Sequence, residues 1–293
     1  MSKFYLADMT SIEAAQALKE KRVIVVPVGA IHKHGDGPIG TDMFSCTELA
    51  RRLGEKIPEI VIVVPTLPYG VSNGSVLPGG IDTSYEPVRQ IIQEICFSFT
   101  KYGATHFLFL SGHGGNDGAY LDVASELNKR GALAAHVRWW DLIIQLKGDI
   151  NPNYRNVNIL EQSVDAACGK NDPAVQRDGE TRTENFQIWL RDEVFGNSFS
   201  YPDKMKGTII CAGSDPMMTR IPNGVVFKNG VVQIPLPRAP INLNDPEPGH
   251  WPSIADKVSA EQGNDILNTC RDWLIDFLAE FVKLEIPQKY IKN

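Results

Sequence analysis

Four near-continuous apolar runs, with helical patterns between them, constrain this chain more than anything else in it. Val23–Val28 (VIVVPV), Ile60–Val64 (IVIVV), Thr105–Leu110 (THFLFL) and Ala132–Val137 (ALAAHV) carry very few polar residues. A strand with one wet face alternates apolar and polar residues. Unbroken runs suit strands covered on both faces of a parallel sheet. Helices are predicted between them near Met43–Lys56, Tyr85–Tyr102 and Gly115–Lys129. Repeated βα units predict a three-layer α/β/α sandwich around a mainly parallel sheet. In such sheets ligands bind where loops leave the carboxyl ends of the strands.

The second half is less regular. From about Ile150 to Pro222 it is more polar, with helices predicted around Ile159–Gly169 and after Glu180. Val225–Phe227 and Val231–Ile234, joined by Lys228-Asn229-Gly230, read as a hairpin. Pro235–Pro252 reads as an ordered surface loop, and Glu261–Lys283 as a long amphipathic closing helix. With 43% hydrophobic residues the chain has ample material for one core. No repeat or linker interrupts it, so residues 1–293 are read as a single domain.

Charge and cysteine usage exclude several partners. The net charge is -6, with no block of basic residues, whereas a nucleic-acid partner needs clustered Lys and Arg. No apolar run reaches the roughly 18 residues that suggest a membrane span. The first twenty residues lack the basic start and apolar stretch of a signal peptide. Five scattered cysteines without a CxxC pair read as reduced thiols of a cytoplasmic protein, none placed as a metal ligand.

The chemistry lies just past the strands. After the first run come Gly29-Ala30-Ile31-His32-Lys33-His34-Gly35 and Gly40-Thr41-Asp42; after the third comes Ser111-Gly112-His113-Gly114-Gly115-Asn116-Asp117. Both segments leave the same end of a parallel sheet, and they hold three of the chain's six histidines. His-x-His in an extended segment points two imidazoles the same way, a natural pair for a divalent metal. Imidazole suits zinc, iron, nickel or copper, and a carboxylate widens the choice to manganese. Asp42 has a plainer reading as a helix N-cap, and GHGGN as a tight turn. Two histidine-bearing loops on one sheet edge favour the metal site.

These segments resemble the signatures of the creatininase family. Pro27–Asp42, PVGAIHKHGDGPIGTD, is similar to PVGSTEQHGPHLPLGTD, and Ser111–Asn116, SGHGGN, to NGHGGN. Leu67–Gly80 is similar to the family's YGxSxEHxxFPGT, Asp178-Gly179-Glu180 falls where many members have HAGE, and Ala260–Gly263 resembles the entry to the last helix. The resemblance implies an α/β/α sandwich, often a homohexamer, with one or two divalent ions (Zn, Mn or Fe) per chain. It makes His34, Asp42 and His113 ligands, with Asp42 bridging. His32 stands where the family has a ligand Glu, which removes a negative charge and favours a softer metal. Gly115 stands where creatininase itself has a Glu, and Glu180 is the candidate to replace it, as ligand or as general base. Arg177 replaces the HAGE histidine.

The implied activity is hydrolysis of a small cyclic amide such as creatinine, with metal-activated water attacking a ring carbonyl. Glu180 or Asp117 would move protons, and Asn116, Arg177 and Asp178 would meet the substrate. Two alternatives stand beside it. One is a ring-opening C–C hydrolase of an oxidised inositol (a 3-dehydro-scyllo-inosose-like diketone), as some relatives look to be; the other is a metabolite-binding descendant without catalysis. No GxSxG and no cysteine beside the motif histidines supports a nucleophilic hydrolase, and no GxGxxG follows the first strand.

Overall fold

The computed structural model describes residues 2–32, 37–72, 79–170 and 255–286, with three further strands at 218–221, 224–227 and 230–233. Contacts group the chain into two compact units, Met1–Arg177 with Ser253–Asn293, and Asp178–Pro252.

The larger unit is the expected sandwich. Its sheet contains β1 (Val23–Val28), β2 (Val61–Val63), β3 (His106–Ser111) and β4 (Leu133–Arg138), all parallel, in the order β2-β1-β3-β4. Every residue of β1 and β3 is buried, as the unbroken runs required. Alternate residues enter two different cores. Val23, Val25, Leu108 and Leu110 pack on one face, and Ile24, Val26, Phe107 and Phe109 on the other.

Helices cover both faces. The first core receives Leu49 and Leu53 of α2 (Thr41–Lys56), Ile143 of α5 (Trp139–Lys147), Leu160 of α6 (Val157–Ala167) and Leu274 of α7 (Ala260–Phe281). The second receives Leu18 of α1 (Ser11–Lys19), Ile92 of α3 (Tyr85–Thr100) and Tyr120 of α4 (Asp117–Lys129). Burying a side chain such as Leu49 or Ile92 stabilises the fold by roughly 1.5–3 kcal/mol.

Several boundaries differ from the sequence reading, each for a local reason. Helix α4 begins two residues later than Gly115, because Gly114–Asn116 forms a separate 3-10 turn. Helix α1 is an addition, opened by a capping box in which Thr10 and Glu13 satisfy each other's backbone N–H. So is α5, which starts on the residue after β4 with no turn signal between them.

In the smaller unit the predicted hairpin is present as β6 (Gly224–Phe227) and β7 (Gly230–Gln233), antiparallel. An unpredicted strand, β5 (Met218–Ile221), pairs with β6. The helix expected after Glu180 and the loop Pro235–Pro252 lie outside the described residues. Among the described residues no helix is long and apolar enough to cross a membrane.

Candidate metal centre

Three chain segments deliver three side chains to the carboxyl end of the sheet. His32 lies four residues beyond β1, its backbone N–H donating to the Ile39 carbonyl at 3.0 Å. Asp42 stands in the first turn of α2 and is 2% exposed. The N-cap of that helix is Gly40, so the plainer reading of Asp42 as a capping residue is corrected. His113 lies just past β3 and is 5% exposed.

Their donor atoms form a small triangle. His32 Nε2 lies 2.9 Å from Asp42 Oδ2, His113 Nδ1 lies 2.8 Å from the same oxygen, and the two nitrogens are 3.1 Å apart. The far side of the His113 ring fixes its chemistry. Nε2 is 3.0 Å from the Val71 carbonyl, which can only accept, so Nε2 carries the hydrogen. In the neutral ring Nδ1 then offers a lone pair toward Asp42, the arrangement a metal-ligating histidine takes from an outer hydrogen bond. Held together by protons alone, both imidazoles would donate N–H to one oxygen with their hydrogens crowded side by side. A single cation would replace both protons.

The dimensions suit an ion. Bonds of about 2.1 Å set neighbouring ligands about 3.0 Å apart around an octahedral ion, and roughly 3.4 Å around a tetrahedral one. The observed 2.8–3.1 Å matches the first closely. His32, Asp42 and His113 are also the one group of three His, Cys, Asp or Glu residues, among those described, that is placed to hold a metal. The positive end of the α2 dipole favours Asp42 as an anion.

The profile of the creatininase family, creatinine amidohydrolase, matches residues 7–184. This chain belongs to the creatininase family. No curated protein matches it significantly. A solved "creatininase Mn" structure is 18% identical with a TM-score of 0.65, covering 96% of this chain and 100% of that one. A mutant creatininase of Zn-Zn type gives 18% and 0.65, covering 97% and 100%. A putative creatinine amidohydrolase from Bacteroides fragilis NCTC 9343 gives 20% and 0.58, covering 98% and 100%. At these identities the likeness establishes the fold.

Around the triangle this creatininase-family chain has its own construction. Val71 is gripped at both ends: its N–H donates to Asn116 Oδ1 at 2.8 Å, and its carbonyl holds His113. Asn116 Nδ2 donates to the Gly29 carbonyl at 3.1 Å, so one buried carboxamide ties together the chain leaving β1, β2 and β3. Expected to orient substrate, Asn116 has both ends of its amide engaged on backbone. Replacing it with alanine orphans the Val71 N–H and the Gly29 carbonyl, at about 1–3 kcal/mol for each group left unsatisfied. Asn116→Ala is expected to lower the urea midpoint accordingly, and an unchanged midpoint would refute this scaffold role.

Gly115 is equally constrained. A Cβ there would lie 2.1 Å from the Val71 oxygen and 2.7 Å from His113 Nε2. A Glu at this position would need a different loop, because the backbone closes the space its Cβ would take.

The other residues singled out from the sequence separate into two groups by position. Asp117, at the start of α4, places Oδ1 3.3 Å from His136 Nε2 and Oδ2 3.4 Å from Arg138. Neither partner stood out in the sequence, because both sit inside or at the end of the fourth apolar run. His34, Arg177, Asp178 and Glu180 lie outside the described residues, as does Cys211. The four described cysteines are free thiols. Burial pushes Cys96 and Cys270 up to about 12, and raises Cys46 further with help from the Asp42 charge. Their thiolate forms are disfavoured, so none of them is a ready nucleophile or ligand.

Proposed function

We propose that this protein is a metal-dependent hydrolase of a small cyclic substrate bearing an activated ring carbonyl, an amidohydrolase of creatininase type. The observation that carries the reading is the buried His32–Asp42–His113 triangle at the carboxyl end of a parallel sheet. His32 Nε2, Asp42 Oδ2 and His113 Nδ1 would hold a zinc or manganese ion, the metals named for the creatininase structures of similar fold. Such an ion, when bound, supplies Lewis acidity toward a carbonyl and lowers the pKa of water.

The chain's own residues do the rest. Val71 and Asn116 hold His113 in one tautomer and one orientation, so the lone pair needs no rearrangement before each turnover. Asp117 is the proton-handling group, its carboxylate facing the imidazole of His136 while Arg138 balances its charge.

The test is a turnover screen of the zinc- or manganese-loaded protein against creatinine, other cyclic amides, formamides and oxidised inositols. Hydrolysis of a cyclic amide other than creatinine is expected, since Leu67–Gly80 carries no histidine where the resembled YGxSxEH signature has one. Turnover confined to oxidised inositols moves the reaction to a C–C bond. With metal bound and nothing turned over, the protein is a binder and the hydrolase reading fails.

A further inference from the structure

The first turn of α2 carries Asp42, yet its own cap does not fix it. Gly40 supplies no side-chain hydrogen bond to the helix N-terminus, whose first amides have no partner within the helix. What holds the turn comes from the next residue and from another helix. Thr41 is fully buried, and its Oγ1 lies 2.7 Å from the Pro38 carbonyl and 2.6 Å from Asp165 Oδ2 of α6. Asp165 is also fully buried. One hydroxyl hydrogen serves these two acceptors, and the shorter contact is the one to the carboxylate. Its contact with Thr41 sits one residue from the only carboxylate of the triangle.

On the opposite side the turn rests on backbone. A Cβ on Gly112 would lie 2.0 Å from the Asp42 carbonyl oxygen. The turn is therefore confined between the β3 loop below and α6 beside it.

We infer that Thr41 and Asp165 form a positioning pair, a link from α6 that sets the first turn of α2 and so holds Asp42 Oδ2 in register with His32 and His113. The inference rests on the metal reading above. Neither residue belongs to the triangle; the pair acts through Asp42, as outer hydrogen bonds act on ligating side chains elsewhere.

The experiment measures zinc and manganese affinity of the whole chain by competition with a chelator, alongside the melting temperature of the metal-free protein. Thr41→Val, near-isosteric but without the hydroxyl, is expected to weaken binding about 10–100-fold, the range for outer-shell partners. Thr41→Ser restores the hydroxyl and should bind within about threefold of the parent. Asp165→Ala should resemble Thr41→Val, and Asp165→Asn, which keeps an acceptor, should lose much less. Because both residues make one link, the double variant Thr41→Val with Asp165→Ala should be little weaker than the worse single one.

Parental affinity in Thr41→Val overturns the inference. So do losses that multiply in the double variant, and so does a lower melting temperature with affinity unchanged. If Asp165→Ala does not fold, the contrast between Thr41→Val and Thr41→Ser still decides. A parent that binds metal while Thr41→Val binds equally well refutes the pair alone. A parent that takes up neither metal refutes the centre itself.

Discussion

Asp42→Ala is expected to empty the metal centre. Asp42 is the only carboxylate of the triangle, and one of its oxygens meets both imidazoles at 2.8–2.9 Å. Losing an outer-shell partner typically costs 10–100-fold in metal affinity, and losing a ligand outright should exceed about 100-fold. Turnover should fall with it, by a factor on the order of 10²–10³ or more if one group's share of transition-state stabilisation is the guide. Stability offers a second readout. Zinc or manganese should raise the melting temperature of the parent, because an ion that binds only the folded state stabilises it by mass action. In Asp42→Ala that rise should vanish. Parental affinity in the variant would remove Asp42 from the site.

Gly112→Ala is expected to damage fold and centre together. The added Cβ would meet the Asp42 carbonyl oxygen at 2.0 Å and the Cys46 sulfur at 3.1 Å. The first contact is with backbone, which no rotamer change relieves. Overpacking of this kind costs roughly 1–3 kcal/mol and sometimes more, and here it pushes on the turn that carries Asp42. Guanidinium unfolding should show the lost stability, and chelator competition a parallel loss of metal affinity. A stability within about 0.5 kcal/mol of the parent would mean that the β3 loop has room to move, and that the described seat for α2 is wrong.

These two residues also show which features the sequence exposes. The sheet was legible because Val23–Val28 and His106–Ser111 are buried along their whole length, and strands covered on both faces are filled mainly by apolar runs. His32, Asp42 and His113 were legible because a parallel sheet brings successive loops to one edge, so chemistry-bearing residues after different strands converge. Their neighbours were hidden for the opposite reason. Asp165 meets Thr41 across 124 residues, and its own helix reads as an ordinary segment. Val71 contributes only its backbone N–H and carbonyl, which any residue supplies. Asn116 stood out as a polar loop residue, but the sequence does not say whether a carboxamide faces substrate or backbone. His136 and Arg138 read as part of a buried strand, though every residue of β4 is at least partly exposed. Helix α5 has no start signal in the sequence, because Trp139 follows Arg138 with no glycine or proline between strand and helix.

The central claim is that one ion sits on the three donor atoms named, and anomalous diffraction from crystals of the zinc- or manganese-loaded protein tests it most directly. Data recorded on both sides of the metal absorption edge should show an anomalous peak about 2.0–2.3 Å from His32 Nε2, Asp42 Oδ2 and His113 Nδ1, with His113 Nε2 still on the Val71 carbonyl. A peak bound to other residues, or no peak in protein that solution measurements show to be loaded, would contradict the account.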